Sequence, residues 1–384
     1  MSDEKRPWDI EPERVENEVT DVEKEHVGDD VRLPEPWDPS LIRVDPKQYS
    51  LRQIDDMIND KELDLDPDFQ RHRVWGPRQK SHLVESVLLR IPLPAFYFSA
   101  DEEGRMQVVD GLQRLSTIHD FLSDRFALAE LEYLGKELAG KRFSDIKQTV
   151  WGRRIQGTQI YANVIDPQTP AKVKFDIFKR INTLGEPLSF QEIRHCMSQG
   201  TSREFLKTLA NSEAFLKATD SSFKEHRRMA DREAVLRFCA FRMLEHLEDY
   251  AKYESMDLFL TEATDKIDRV LTDADRAQLA ADLARAMENA TQLFGNFAFR
   301  KWPAGEDDRK NPINKPLLEA WGAVLATYAW ETLEPHKSKI VDATRRAMAE
   351  DREFIEAISV GTGDPRKVKA RFDRVSLILN TALQ

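Results

Sequence analysis

The sequence predicts an α+β protein, with a small mixed α/β N-terminal domain followed by a mostly α-helical domain. Three observations carry this prediction. Short apolar or aromatic runs (Ala95–Ser99, Met106–Asp110 and Gln159–Ile165) read as strands among amphipathic helical stretches as far as about Pro167. From about Thr169 onward, apolar residues recur almost wholly at helical spacing. The 384 residues are long enough for a large core and for two domains, and no repeat period indicates a solenoid. The expected boundaries are a tail at 1–40, the α/β domain at 41–168 and the helical domain at 169–384.

Residues 1–40 hold 14 acidic and 5 basic side chains, so −9 of the net charge of −11 lies there. With Pro34, Pro36 and Pro39 at its end, this lead is expected to be an acidic, disordered, solvated tail. The rest is then nearly neutral, a poor balance for coating DNA indiscriminately. The N-terminus has no apolar signal region and no run approaches ~20 apolar residues, so a cytoplasmic protein without a membrane span is expected. Cys196 and Cys239 stand singly in helical patterns and read as reduced core thiols.

Ser50–Asn59 is expected to be a short helix capped by Ser50. Pro77–Leu89 starts on a proline, whose missing N–H costs nothing in a first helical turn, and ends before Pro92. Strands 95–99 and 105–110 should form a hairpin around the turn Asp101–Gly104. Lys172–Arg180 is helical, and Ser189 with Glu192 three places on is a capping box that opens the next helix. Further helices are expected at 202–217, 231–249, 256–270, 274–297, 315–331, 337–350 and 366–382.

The most informative stretch is Met106–Leu122, MQVVDGLQRLSTIHDFL, a strand, an Asp-Gly break and an amphipathic helix. Leu115, Ile118, Phe121 and Leu122 share one helical face, with Gln113, Ser116, Thr117 and Asp120 opposite. A helix start beside Arg114 is an anion site in waiting, and Asp110 stands where it could hold Mg²⁺ or orient Arg114. The plainer reading has Asp110 capping the helix and pairing with Arg114. Upstream, Asp66–Trp75 carries Gln70, Arg71 and Arg73 on a segment that Pro67 pushes out of helix, suited to gripping phosphates or simply a surface loop. Downstream, Asn182, Thr183 and Gly185 could form a nest of backbone donors or merely end a helix. The basic GRRIQG stretch at 152–157 is a candidate nucleic-acid contact or a solvated helix end. No P-loop, GxGxxG fingerprint, HExxH or paired His/Cys spacing is present.

These three segments, taken in order, resemble the GmrSD-type family, named after the N-terminal domain of modification-dependent restriction endonucleases. The family's IPxFQRxxxW-like, DGQQR and FxRxNTxGxPLxxQExR motifs correspond to DPDFQRHRVW (66–75), VVDGLQRLSTIHDFL (108–122) and FKRINTLGEPLSFQEIRH (178–195). Similarity extends through DREAVLRF (231–238) and NKPLLEAW (314–321), covering roughly 50–330. The resemblance implies a ParB/sulfiredoxin-like α/β core before the helical domain, and NTP binding, often with hydrolysis, coupled to DNA restriction in antiviral defence. By position, Asp110, Gly111, Gln113 and Arg114 become the nucleotide motif, with Asp110, Gln113 and Arg114 in catalytic roles and Gln70, Arg71 and Asn182 as supporting contacts. Leu112 stands where the family has a glutamine: it packs, or an amide for water or phosphate has been lost. No clustered His and Asn after residue 330 suggests the HNH-type nuclease that many members carry. The expected partners are therefore a nucleotide, DNA and a separately encoded nuclease. A nucleic-acid-binding module or ParB-like nuclease, and a helical scaffold recruiting a nuclease, are the alternatives.

Overall fold

The computed structural model describes residues 10–15, 18–26, 38–65, 75–181, 188–198, 200–224, 226, 228–305 and 309–384. The chain forms two compact units, one from Pro36–Leu188 and one from Met1–Glu35 together with Ser189–Gln384. The helical unit is thus discontinuous in sequence, and the α/β unit runs on to Leu188.

Within the acidic lead, the described residues 10–15 and 18–26 are ordered against the helical unit and so depart from the disordered tail expected at 1–40. Strand β1 (Pro12–Val15) pairs antiparallel with β2 (Glu18–Glu23), and β2 continues as a strap through His26. Val22 is fully buried in the core of the helical unit, bridging to Ile313. The acids at every second position meet buried cations. Asp21 pairs with Arg300 at 2.7 Å, Glu23 with Lys301 at 2.6 Å and Glu25 with Arg237 at 2.7 Å. Net charge misled because the compensating cations lie more than 200 residues away, where a local composition window does not reach. Residues 1–9 and 27–37 lie outside the described residues.

The α/β unit follows β3 (Val44–Ser50), α1 (Leu51–Asn59), β4 (Leu63–Asp64), α2 (Pro77–Leu88), β5 (Phe96–Ala100), β6 (Met106–Asp110) and α3 (Leu112–Leu122). After these come the short α4 (Gly135–Leu138) and α5 (Phe143–Ile146), then α6 (Val150–Gly157), β7 (Gln159–Ile165) and α7 (Ala171–Ile181). The sheet order is β3-β7-β5-β6-β4. The expected hairpin is present as β5–β6, while β5 also pairs parallel with β7, a long-range contact no local pattern announces. Phe96, Phe98, Val108, Ile160, Ala162 and Val164 pack with the buried faces of α1, α2 and α3. By the strand period of two, Tyr97, Ser99, Tyr161 and Asn163 stand on the opposite face. Ser50 caps α1 as expected, the structure adding a capping box with Gln53, and the expected capping box of Ser189 with Glu192 forms at the start of α8 (Phe190–Met197).

The helical unit continues with α9 (Thr201–Ala210), α10 (Glu213–Ala218), α11 (Ala230–Arg242), α12 (Met256–Arg269) and α13 (Asp273–Phe294). Then follow α14 (Lys315–Leu325), α15 (Trp330–Leu333), α16 (Lys337–Glu350), α17 (Arg352–Ala357) and α18 (Pro365–Leu383). The expected 202–217 helix is two helices, because Ser212 caps a new start. The expected 231–249 helix stops at Arg242, before a 3₁₀ turn at Leu247–Lys252. Cys196 and Cys239 are buried and form no disulfide with each other, and burial pushes the Cys239 thiol up to about 12. Among the described residues no helix is long and apolar enough to cross a membrane.

Candidate functional site: the turn between β6 and α3

Gly111 makes the turn. Its φ of +98° is a left-handed conformation that side chains rarely adopt. A Cβ there would also lie 2.3 Å from the Phe96 ring, so glycine is required twice over. The first helical hydrogen bond runs from Leu115 N–H to the Gly111 carbonyl at 2.9 Å, and Gly111 brings no side-chain cap to this helix start.

Just before the glycine, the β5–β6 ladder carries a bulge. Phe98 pairs with Val108, but Tyr97 pairs with Asp110, leaving Val109 as the extra residue. Strict alternation would put Asp110 on the same side as Val108, in the helix-facing core. The bulge turns it instead to the face of its partner Tyr97, a known use of such irregularities. Val109 agrees, since it is buried yet stands outside the core cluster that holds Val108. The register then sets Asp110, Tyr97, Asn163 and Pro46 in one line across β6, β5, β7 and β3.

Arg114 locks this geometry. Its Nη2 donates to Asp110 Oδ2 at 2.9 Å and to the Ala95 carbonyl at 3.4 Å, and its Nη1 donates to the Pro94 carbonyl at 2.5 Å. The guanidinium lies over the Phe96 ring, 4.2 Å from its centroid. Burial pulls the Arg114 pKa down, and the Asp110 carboxylate only partly restores it. Asp110 keeps 39% of its side chain exposed, and its Oδ1 takes no hydrogen bond from the described residues. The plainer sequence reading of an Asp110–Arg114 pair is therefore present, with one carboxylate oxygen left over.

Asp110, Gly111, Gln113 and Arg114 are thus brought together at one turn. Leu112 packs against the α/β core, as its place at the edge of the apolar face allowed. Gln70, Arg71 and Asn182 lie outside the described residues. Around the turn, α3 is pinned by His119 against Asp55 at 2.8 Å and by Asp120 against Lys80 at 2.9 Å. Thr117, placed by the helical period opposite the apolar face, is buried. In GRRIQG, Arg154 lies over Trp151 and donates to the Leu88 carbonyl at 2.9 Å, which anchors a helix end. Among the described residues no group of three potential ligands could hold a metal ion, so Asp110 offers a single carboxylate. Sequence reasoning missed Phe96, Tyr97 and Asn163; an asparagine mid-strand, where that residue is depleted, was the available signal.

The comparisons agree with the motif reading. Residues 54–198 match the family model of the GmrSD restriction endonuclease, N-terminal domain. The GmrSD match runs from within α1 to the end of α8 and contains the whole β6–α3 turn. It therefore covers the α/β unit's sheet from β4 through β7 together with the first helix of the helical unit. No curated protein matches the chain. The matched family is described as the N-terminal domain of a restriction endonuclease.

Proposed function

We propose that the GmrSD-like domain binds a nucleoside triphosphate at the β6–α3 turn, and that the protein is a nucleotide-dependent regulatory component of a DNA-restriction system. One observation carries the reading. A bulge presents Asp110 with an uncommitted oxygen beside an uncapped helix start, on a turn that Arg114 and Phe96 hold rigid. Phosphates are attracted to helix N-termini by the backbone N–H groups and the helix dipole. Mg²⁺ usually needs only one or two carboxylates and completes its shell with phosphate oxygens and water, so Asp110 Oδ1 fits it.

In this reading Asp110 holds the metal–phosphate complex and Gln113 orients a phosphate or the attacking water. Arg114 both fixes Asp110 and contributes positive charge. Gln70, Arg71 and Asn182 are the proposed supporting contacts. Phosphoryl transfer is catalysed mainly by positioned charge, so these residue types suffice without a covalent nucleophile. The test is phosphate release from ATP, GTP, CTP and UTP by the wild type and by Asp110→Ala. Release by the wild type and loss of at least tenfold in the variant is expected. Equal release by both proteins would remove Asp110 from the reaction.

A further inference from the structure

The sheet face next to Asp110 carries a second feature that the phosphate reading does not use. Tyr97 and Asn163 are cross-strand neighbours on β5 and β7, in the same register line as Asp110 and on the face away from the core. Both side chains are half-buried, so they are held by their surroundings while one side stays open. Neither the Tyr97 hydroxyl nor the Asn163 amide has a hydrogen bond to a described residue. Asparagine is a poor strand former, so its place in the line is not explained by strand propensity. Strands lie ~4.8 Å apart, which puts Asn163 roughly 10 Å from Asp110 across the sheet, with the Tyr97 ring between them. That order (carboxylate, aromatic ring, amide) follows the order of groups along a nucleotide, from metal-bound phosphate to base.

We infer that the base of the bound nucleotide stacks on Tyr97 and that the Asn163 amide reads its edge. This rests on the nucleotide reading above. Stacking accepts any base because every base has a π face. The amide, carrying both a donor and an acceptor, discriminates among base edges. The bulge at Val109 is what makes the arrangement possible, because without it Asp110 and Tyr97 would stand on opposite faces.

The experiment is equilibrium binding, in Mg²⁺ buffer, of each of the four NTPs and of inorganic tripolyphosphate. The proteins are the wild type, Tyr97→Phe, Tyr97→Leu and Asn163→Ala, each checked for an unchanged melting temperature. Tyr97→Leu should weaken NTP binding by roughly ten- to a hundredfold while leaving tripolyphosphate binding intact, and Tyr97→Phe should retain most of the affinity. Asn163→Ala should narrow the spread of affinities among the four NTPs. Should Tyr97→Leu fail to fold, Asn163→Ala decides alone. NTP binding unchanged in both variants, or tripolyphosphate binding lost in parallel, would overturn the base platform while the phosphate site stands. A wild type that binds neither NTP nor tripolyphosphate would instead overturn the nucleotide reading itself.

Discussion

Gly111 and Arg114 do the structural labour of the turn, and each has a measurable consequence. Gly111→Ala places a methyl group within the Phe96 ring and forces a left-handed alanine. We predict a loss of roughly 2–5 kcal/mol, read from the urea midpoint, because strain and overpacking each cost about 1–3 kcal/mol. Arg114→Ala removes the donors to Pro94, Ala95 and Asp110 together with the stack on Phe96. An Arg114 committed to phosphate alone would, on this substitution, abolish nucleotide binding at an unchanged melting temperature. The structure adds a stability cost of about 2–3 kcal/mol, since hydrogen bonds from charged groups contribute more than neutral ones. Arg114→Lys should not restore it, as an ammonium cannot reproduce a planar fork of donors over a ring. A melting temperature unchanged in both variants would show that the guanidinium is free for phosphate alone.

At the scale of elements, the local signals were reliable where one residue acts on its near neighbours. Ser50, and Ser189 with Glu192, announced two helix starts, and the Asp101–Gly104 turn announced the β5–β6 hairpin. The bulge inside that hairpin was not legible, because it depends on how β5 meets both β6 and β7. Nor was Glu85, a buried carboxylate within the apolar pattern of α2. It accepts from the backbone N–H groups of Glu132, Tyr133 and Leu134 at 3.0, 2.8 and 2.8 Å, tying down the loop before α4. Burial pushes the Glu85 carboxyl up, but these three donors outweigh it and hold the group below its ordinary value. A depressed carboxylate stabilises the fold fully above the unfolded-state pKa, about 4.3. That contribution disappears as pH falls through the folded-state value. Unfolding midpoints measured from pH 6 to pH 3 should therefore fall less steeply for Glu85→Gln than for the wild type, with the variant about 1–3 kcal/mol less stable at neutral pH. Parallel curves would remove Glu85 from the acid response.

For the whole molecule, the decisive fact is that the helical unit is completed by the start of the chain. Deleting residues 1–26 would leave Arg300, Lys301 and Arg237 buried without Asp21, Glu23 and Glu25. Breaking one buried pair costs about 3–5 kcal/mol, so the truncated chain should lose its cooperative thermal transition for the helical unit. The segment Pro36–Leu188, expressed alone, should keep its own transition, since it owns a core and the whole five-stranded sheet β3-β7-β5-β6-β4. Circular dichroism melts of both shortened chains check this, and a truncated chain that melts like the full one would make the strap dispensable. The sequence by itself determined the α+β class, the helix starts, the strand–turn–helix at Asp110–Arg114 and its kinship with GmrSD domains, because each is written in residues close together in the chain. Only the tertiary structure decided that the acidic lead is part of a core, that Asp110 shares a face with Tyr97 and Asn163, and that Arg114 is anchored on Phe96. Those outcomes turn on charges and registers brought together from distant positions, and no local pattern encodes such distances.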